Sequence, residues 1–316
     1  MRLARPLRIV IPGGTGRIGV LLARHFHQLG HSVSTITRFP KPSDWEAIHW
    51  DAENPGVWVS ALEDADLIIN LAGRSHFCRY TAANRASILH SRVRTTELLA
   101  QAISECAHPP RLWMNASTTD LYASSHDHEV GEYLYGMADN EFNFAKSWEA
   151  AVQSLPTPNT RKICFRLAPV MKPDSGLFVF LLGLVRWGFG GEMGNGEQYV
   201  DWVHDFDFIR AIEFLLEHDQ IHGAVNITSP CPIPNHQFMC NLRRAWCTSY
   251  FGLPAPAWLV RAATFALRVQ PELVLKSRRV VPKRLLESGF AFHFPEWRGA
   301  CENLVERWRQ LHESGN

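Results

Sequence analysis

Chemistry enters this sequence first at Gly13-Gly14-Thr15-Gly16-Arg17-Ile18-Gly19, which stands directly behind an apolar run (7–11) and directly ahead of a helical pattern (18–29). Strand, glycine loop and helix start in that order make a cradle for a pyrophosphate. Gly13 permits the tight turn, Gly16 lets the backbone approach the phosphates, Gly19 lets helix and strand pack closely, and the first-turn N–H groups face the anion with the positive dipole end. Thr15, Arg17 and Ile18 complete the loop as expected cofactor contacts. The end of the next apolar run (33–37) selects the dinucleotide. Asp or Glu there binds the ribose hydroxyls of NAD, but this chain carries Arg38, a fixed cation that with Arg17 suits a 2′-phosphate. The loop therefore points to NADP(H). The plainer alternative is two solvated surface arginines. Asp51, behind the third strand, suits the adenine amino group, and Asn70-Leu71-Ala72-Gly73 closes the fourth strand where backbone has to lie against a cofactor.

Further along, Ser117-Thr118-Thr119 follow the fifth strand, so that Ser117 or Thr118 either polarises a substrate carbonyl beside the nicotinamide or caps the backbone. Trp202-Val203-His204 with Asp207 opens a helix that Asp205 can cap. His204 is then either an acid–base group facing the cleft or a satisfied structural histidine. Lys283 and Arg284, behind Pro282 at another helix start, bind an anionic substrate group if directed inward and are solvated surface otherwise. Gln198 and Trp202 are the other expected walls of the substrate pocket. His126-Asp127-His128-Glu129 resembles a metal cluster in composition alone, and no metal is expected. No G-x-S-x-G elbow, H-E-x-x-H helix or P-loop lysine occurs.

The elements that must position these residues alternate. Apolar runs at 66–72, 111–116 and 162–167 are separated by helical patterns at 82–106 and 138–153, which implies an α/β fold with a doubly wound parallel sheet of Rossmann type. The expected division is a dinucleotide-binding domain over 7–172 and a smaller, mainly helical substrate lobe over 173–316, with a late strand (224–228) returning to the first sheet. The apolar run 177–185 is half the length of a spanning helix and reads as a buried one. Among 316 residues, 32 Lys and Arg balance 31 Asp and Glu, leaving a formal charge of +1. That balance gives no electrostatic drive toward nucleic acid or an anionic membrane, so a small-molecule substrate is the expected partner, and it leaves the oligomeric state open. Seven cysteines, an odd number without C-x-x-C spacing, fit a reduced cytoplasmic setting.

GGTGRIG (13–19), NLAG (70–73), SRVRTT (91–96), NASTTDLY (115–122), SWEAA (147–151), RLAPVMKPDSG (166–176), GNGEQYVDWVHDFD (194–207), VNITSP (225–230) and VPKRLLESGFAF (281–292) fall in order along nearly the whole chain. In these segments the sequence resembles an extended or atypical short-chain dehydrogenase/reductase, and more narrowly the nucleoside-diphosphate-sugar epimerase-like branch with its own C-terminal domain. The resemblance implies a cofactor contact at Pro169 and a catalytic Ser/Thr, Tyr and Lys. The last two are spaced Y-x-x-x-K so that the ammonium lowers the phenol pKa across one helix face. Here that pair is missing. Counting back from Glu149, the Lys slot holds Ala145 and the Tyr slot Glu141, with Lys146 about 100° around the helix. Proton transfer is then left to Tyr122, which the family usually keeps at this point, to His204 or to ordered water, with Tyr135 in reserve. Two functions stay open. One is an NADP(H)-dependent oxidoreductase or epimerase-like enzyme for a small sugar-like or anionic carbonyl or alcohol. The other is a non-catalytic NADP(H)-binding regulatory or sensor module, which needs no substitute for the pair.

Overall fold

The computed structural model describes residues 5–75, 77–133, 143–246 and 252–313. Its elements in chain order are β1 (Arg8–Pro12), α1 (Arg17–Gln28), β2 (Ser32–Thr37), β3 (Glu46–His49), β4 (Leu67–Asn70), α2 (Ala82–Glu105), β5 (Leu112–Thr118), α3 (Asn143–Ser154), β6 (Arg161–Leu167), β7 (Val170–Met171), α4 (Leu177–Arg186), β8 (Tyr199–Val200), β9 (Val203–His204), α5 (Asp205–Glu217), β10 (Gly223–Ile227), β11 (Ile233–Pro234), α6 (Asn235–Trp246), α7 (Ala257–Ala266), α8 (Glu272–Leu275), α9 (Lys283–Glu287) and α10 (Trp297–Glu313). Seven strands form one sheet in the order β10-β6-β5-β4-β1-β2-β3, every pair parallel. The chain winds outward from β1 to one edge, then restarts beside β1 with β4. That reversal opens a crevice at the carboxyl ends of β1 and β4.

Every residue of β4 and β5 is buried, as a sheet covered on both faces requires. Leu22 and Phe26 of α1 pack with Phe208 and Leu215 of α5 in one cluster, and Leu98, Leu99 and Ile103 of α2 pack with Trp58 and Val152 in another. Each such side chain contributes about 1.5–3 kcal/mol. A separate core of Phe178, Leu182, Trp202, Phe238, Trp297 and Leu304 joins α4, α6 and α10. Residues beyond 173 thus build both cores, because α5 covers the first sheet and β10 extends it beside β6.

Two local devices fix the frame. Gly30, at φ +84°, ends α1: its N–H bonds the His27 carbonyl and the His31 N–H reaches back to Phe26, the paired bonds of a left-handed helix stop. The segment after α8 crosses the turn beyond β5, where Val130 N–H donates to Arg279 O (2.9 Å) and Val281 N–H to Val130 O (3.0 Å). The later half of the chain is thereby laced to the mouth of the crevice.

Candidate functional site

At the end of β1 the chain turns through Gly13, whose φ is +78°. A Cβ on Gly13 would stand 2.7 Å from the Leu71 backbone, and one on Gly14 would stand 2.4 Å from Thr35 Cγ2. Gly14, which has no evident task in the sequence motif, is therefore a packing requirement. Gly19 would strike the Gly14 backbone at 2.6 Å, so it serves helix-to-loop rather than helix-to-strand packing. Gly16 differs from these three, since a Cβ there meets the Gly13 carbonyl oxygen alone, at 3.3 Å. Gly16 is also the N-cap of α1, without a side-chain cap or a first-turn carboxylate, which leaves the opening N–H groups directed outward. Thr15 and Thr37 share a hydroxyl hydrogen bond of 2.9 Å, and Ile18 is half-buried behind the loop.

The two arginines have different neighbours. Arg38 is exposed and lies over the Phe39 ring at 5.7 Å. Arg17 Nη1 stands 3.9 Å from the Cβ position of Gly176, at the start of α4. Beside it Lys172, buried and missed in the sequence, donates to Arg17 O (3.2 Å) and lies 3.4 Å from Asp174. Asp51 is turned to a local task. It accepts from the Glu53 and Asn54 N–H groups and from Asn54 Nδ2, all at 2.8 Å, and the Asn54 side chain foremost lowers its pKa to about 2. Its carboxylate closes a turn behind β3 and is exposed.

At the end of β4, Asn70 accepts from the Ala72 N–H (3.0 Å) and donates to Asn115 (2.7 Å). This places Leu71, Ala72 and Gly73 along the crevice, with Gly73 at φ +155°. On β5, Ser117 donates to Glu149 Oε1 at 2.5 Å. Glu149 is held by Arg166 through Nε (3.0 Å) and Nη2 (2.8 Å), and Arg166 Nη1 donates to the Tyr122 hydroxyl (2.7 Å), which donates to Asn226 (2.8 Å). Thr118 donates to Asp120 Oδ2 (3.0 Å) and accepts from the Asp120 N–H (3.2 Å). Asp120 in turn faces Arg278 at 2.7 Å, and the fully buried Asp201 accepts from Thr119. Burial, opposed by Arg278, raises the Asp201 pKa to about 6.

Several expected site residues lie elsewhere. Tyr122 is 1% exposed, and burial pushes its phenol up to about 12, so it is a buried link rather than a proton donor. His204 is fully buried and N-caps α5, its Nδ1 accepting from Phe206 N–H (3.1 Å) while Nε2 meets Asn303 (3.1 Å) and the ring stacks on Phe294. Burial lowers its pKa to about 4, which leaves a neutral cap and no acid–base group. Asp207 accepts from the His293 and Phe294 N–H groups, both at 2.7 Å, so this motif docks the C-terminal segment onto α5. Trp202 is wholly buried against Trp297, and Gln198 is buried with Nε2 on Met193 O (2.8 Å); both are core of the second lobe. Arg284 donates to the His222 and Ala224 carbonyls, at the amino end of β10 and so at the opposite side of the sheet from the crevice. Lys283 beside it is exposed over Tyr133. Pro169 is half-buried and its carbonyl accepts from Val203 N–H (3.1 Å). Tyr135 and Glu141 lie outside the described residues, and the Lys slot, Ala145, is buried. Among the described residues, three ligand-type atoms gather within 4.8 Å at Glu63, Asp64 and His108. These precede β4 and β5, on the side away from the crevice, and Glu63 caps the 107–108 backbone.

A family model described as the NAD dependent epimerase/dehydratase family matches residues 9–141, and a domain of unknown function, DUF1731, matches residues 255–304. The epimerase family protein SDR39U1 of Homo sapiens is 31% identical over 304 residues, 95% of this chain and 100% of the relative. The Mus musculus protein of the same name is 33% identical with the same coverage. The crystal structure of human SDR39U1 (isoform2) with NADPH superposes with a TM-score of 0.85 at 30% identity, covering 95% of this chain and 99% of that one. A nucleoside-diphosphate sugar epimerase from Corynebacterium glutamicum shares the fold, with a TM-score of 0.77 at 22% identity over 99% of this chain and 62% of that one. Among the described residues no helix is long and apolar enough to cross a membrane.

Proposed function

We propose, from the premise that this chain belongs to the NAD dependent epimerase/dehydratase family, that it binds NADP(H) across the start of α1. In this reading it acts as an oxidoreductase or epimerase-like enzyme on a small sugar-like or anionic carbonyl or alcohol. The observation that carries the reading is the contrast within the glycine loop. Gly13, Gly14 and Gly19 are closed in by the fold, whereas the outer side of Gly16 is open beside an uncapped helix start. Backbone N–H groups pointed into open space fit a pyrophosphate. Arg38, exposed at the end of β2 and without a carboxylate partner among the described residues, fits a 2′-phosphate. The crystal structure of the human relative with NADPH supports the same choice.

Bound there, the dinucleotide would supply hydride transfer. The protein's part is positional. Gly13, Thr15, Gly16, Arg17, Ile18 and Gly19 hold the phosphates, while Leu71, Ala72, Gly73 and Pro169 border the rest. Thr118 is the hydroxyl at the end of β5 for the reacting oxygen, and to donate to it Thr118 has to release Asp120. Ser117 has its proton on Glu149, and with Tyr122 and His204 committed elsewhere, ordered water is the proton source. General acid–base catalysis is typically worth 10²–10⁴-fold, so turnover is slow.

The test is NADPH and NADH affinity by fluorescence in the wild type and in Arg38→Asp. The variant is expected to weaken NADPH by about tenfold or more and to leave NADH nearly unchanged. Equal weakening of both removes the 2′-phosphate assignment, and no saturable binding of either removes the cofactor. The second reading, a non-catalytic NADP(H)-binding module, is favoured by Ala145, a buried methyl in the slot of the ammonium. Tight NADPH binding without oxidation across a broad carbonyl panel would select it.

A further inference from the structure

Among the described residues three arginines are buried to within a tenth of full exposure, Arg92, Arg166 and Arg278. Arg166 has Glu149 at 2.8 Å and Arg278 has Asp120 at 2.7 Å. Arg92, in the third turn of α2, has no carboxylate partner among the described residues. Its Nη1 donates to the carbonyls of Arg74 (2.7 Å) and Ile88 (3.3 Å). Its Cζ lies 5.1 Å from the Phe144 ring centre and 5.0 Å from that of Trp148, and the indole is held by its Nε1 bond to Thr96 (2.9 Å). Nε is buried without an acceptor, and Nη2 has none among the described residues. A buried guanidinium costs free energy unless an opposite charge answers it, and two carbonyls and two ring faces answer it only in part.

The two unanswered nitrogens are not an arbitrary pair. Nη1 lies on the Cδ side of the guanidinium, so the N–H bonds of Nε and Nη2 run parallel along the opposite edge, and that edge matches the two oxygens of a carboxylate or phosphate. The guanidinium borders the crevice, because a Cβ on Gly73, just beyond β4, would stand 3.1 Å from Arg92 Cγ and 3.4 Å from both Cζ and Nη1. The glycine loop, one strand away at the end of β1, meets a pyrophosphate with its own N–H groups and with Arg17 and Lys172 nearby. Arg92 is on the far side of β4, toward β5 and α3, where the substrate would lie.

We propose that the Nε–Nη2 edge of Arg92 is a subsite for an oxyanion, carboxylate or phosphate, carried by the substrate. This rests on the cofactor reading above and narrows its substrate class to acidic molecules. The competing source of the same chemistry is a phosphate of the dinucleotide itself, and the experiment separates the two.

NADPH affinity is measured by fluorescence for the full-length wild type, Arg92→Met and Arg92→Lys. Each NADPH-saturated protein is then titrated with malonate and with inorganic phosphate against chloride at matched ionic strength, reading NADPH fluorescence and Tm. The expected result is NADPH affinity within about twofold throughout, a saturable anion response in the wild type, and that response weakened about tenfold or more in Arg92→Met. Arg92→Lys, which keeps the charge but loses the parallel donors, falls between. Arg92→Met weakening NADPH itself about tenfold would assign the edge to the cofactor and overturn the proposal. No saturable anion response in the wild type, or an undiminished one in Arg92→Met, overturns it as well. If Arg92→Met does not fold, the wild-type titration and Arg92→Lys decide. A wild type that fails to bind NADPH defeats the cofactor reading alone, because the anion response of the ligand-free protein is still read by Tm.

Discussion

If His204 is a neutral helix cap, it must oppose acid, and Asp201 must do the reverse in the same pH range. His204 Nδ1 takes the Phe206 N–H, so a proton added at Nδ1 faces another donor and breaks the cap. Burial lowers the His204 pKa from 6.5 to about 4, with Arg307 adding to the fall and Asp205 and Asp207 opposing it. A lowered folded value means that its stabilisation is fully present above pH 6.5 and is lost as pH falls toward 4. Asp201 is raised from 3.8 to about 6 by burial, Arg278 and Thr119 opposing. Its stabilisation is full below pH 3.8 and is lost as pH rises through 6. At about 1.4 kcal/mol per pKa unit, each is worth roughly 3 kcal/mol, and in the wild type they nearly cancel. Asp201→Asn keeps an acceptor for Thr119, and His204→Asn keeps one for Phe206 N–H. In urea unfolding at pH 7, 6, 5 and 4, Asp201→Asn should lose about 3 kcal/mol relative to wild type on going from pH 7 to 4, and His204→Asn should gain about the same. Profiles of His204→Asn that run parallel to wild type would refute the buried neutral imidazole and return His204 to the list of acid–base candidates.

The glycine loop and the paired hydroxyls give two further tests. Gly14→Ala forces a Cβ to 2.4 Å from Thr35 and should cost about 1–3 kcal/mol of stability, whereas Gly16→Ala should shift stability by about 1 kcal/mol or less and cut NADPH affinity about tenfold; equal effects on Tm would mean the two glycines do the same job. Ser117→Ala removes a bond to Glu149 and should cost about 1–2 kcal/mol with any turnover retained, while Thr118→Ala, which removes two bonds with Asp120, should cost a similar amount and abolish turnover; turnover kept in Thr118→Ala and lost in Ser117→Ala would exchange their roles.

The sheet was legible because its signals are local. Each apolar run is followed within a few residues by its turn or helix, and 224–228 lies within a residue of the strand that joins β6. The glycine loop was legible as a strand end, a tight turn and a helix start within seven consecutive residues, although Gly19 packs on the loop rather than on the strand. What escaped is long-range pairing. Glu149 and Arg166 stand inside quoted motifs, yet nothing in either motif names the other, and Asp120 meets Arg278 from 158 residues away. The same distance explains the misplaced substrate wall. Lys283 and Arg284 follow a proline at a helix start, which is a true local signal, but only the register of β10 shows that Arg284 binds the amino end of that strand. Burial decided His204 and Trp202 in the same way, through partners on α10 that periodicity does not reveal.

The missing Tyr–Lys pair has a physical counterpart in the chain that runs behind β5. In the ordinary arrangement a cation beside a phenol lowers its pKa and frees its proton. Arg166 is such a cation, its Nη1 only 2.7 Å from the Tyr122 hydroxyl, and taken alone it would activate the tyrosine. Two things reverse the outcome. Glu149 takes up the guanidinium through two hydrogen bonds, which ties the cation to a carboxylate rather than leaving it to the phenol alone. Burial then outweighs it, and the Tyr122 pKa is pushed up to about 12 despite Arg166 favouring the ionised form. Tyr122 therefore stays protonated at any physiological pH and spends that proton on Asn226. The same residue types that would make a catalytic pair in an open cleft become, behind the sheet, a neutral link in a buried chain. Substituting Tyr122 accordingly tests packing.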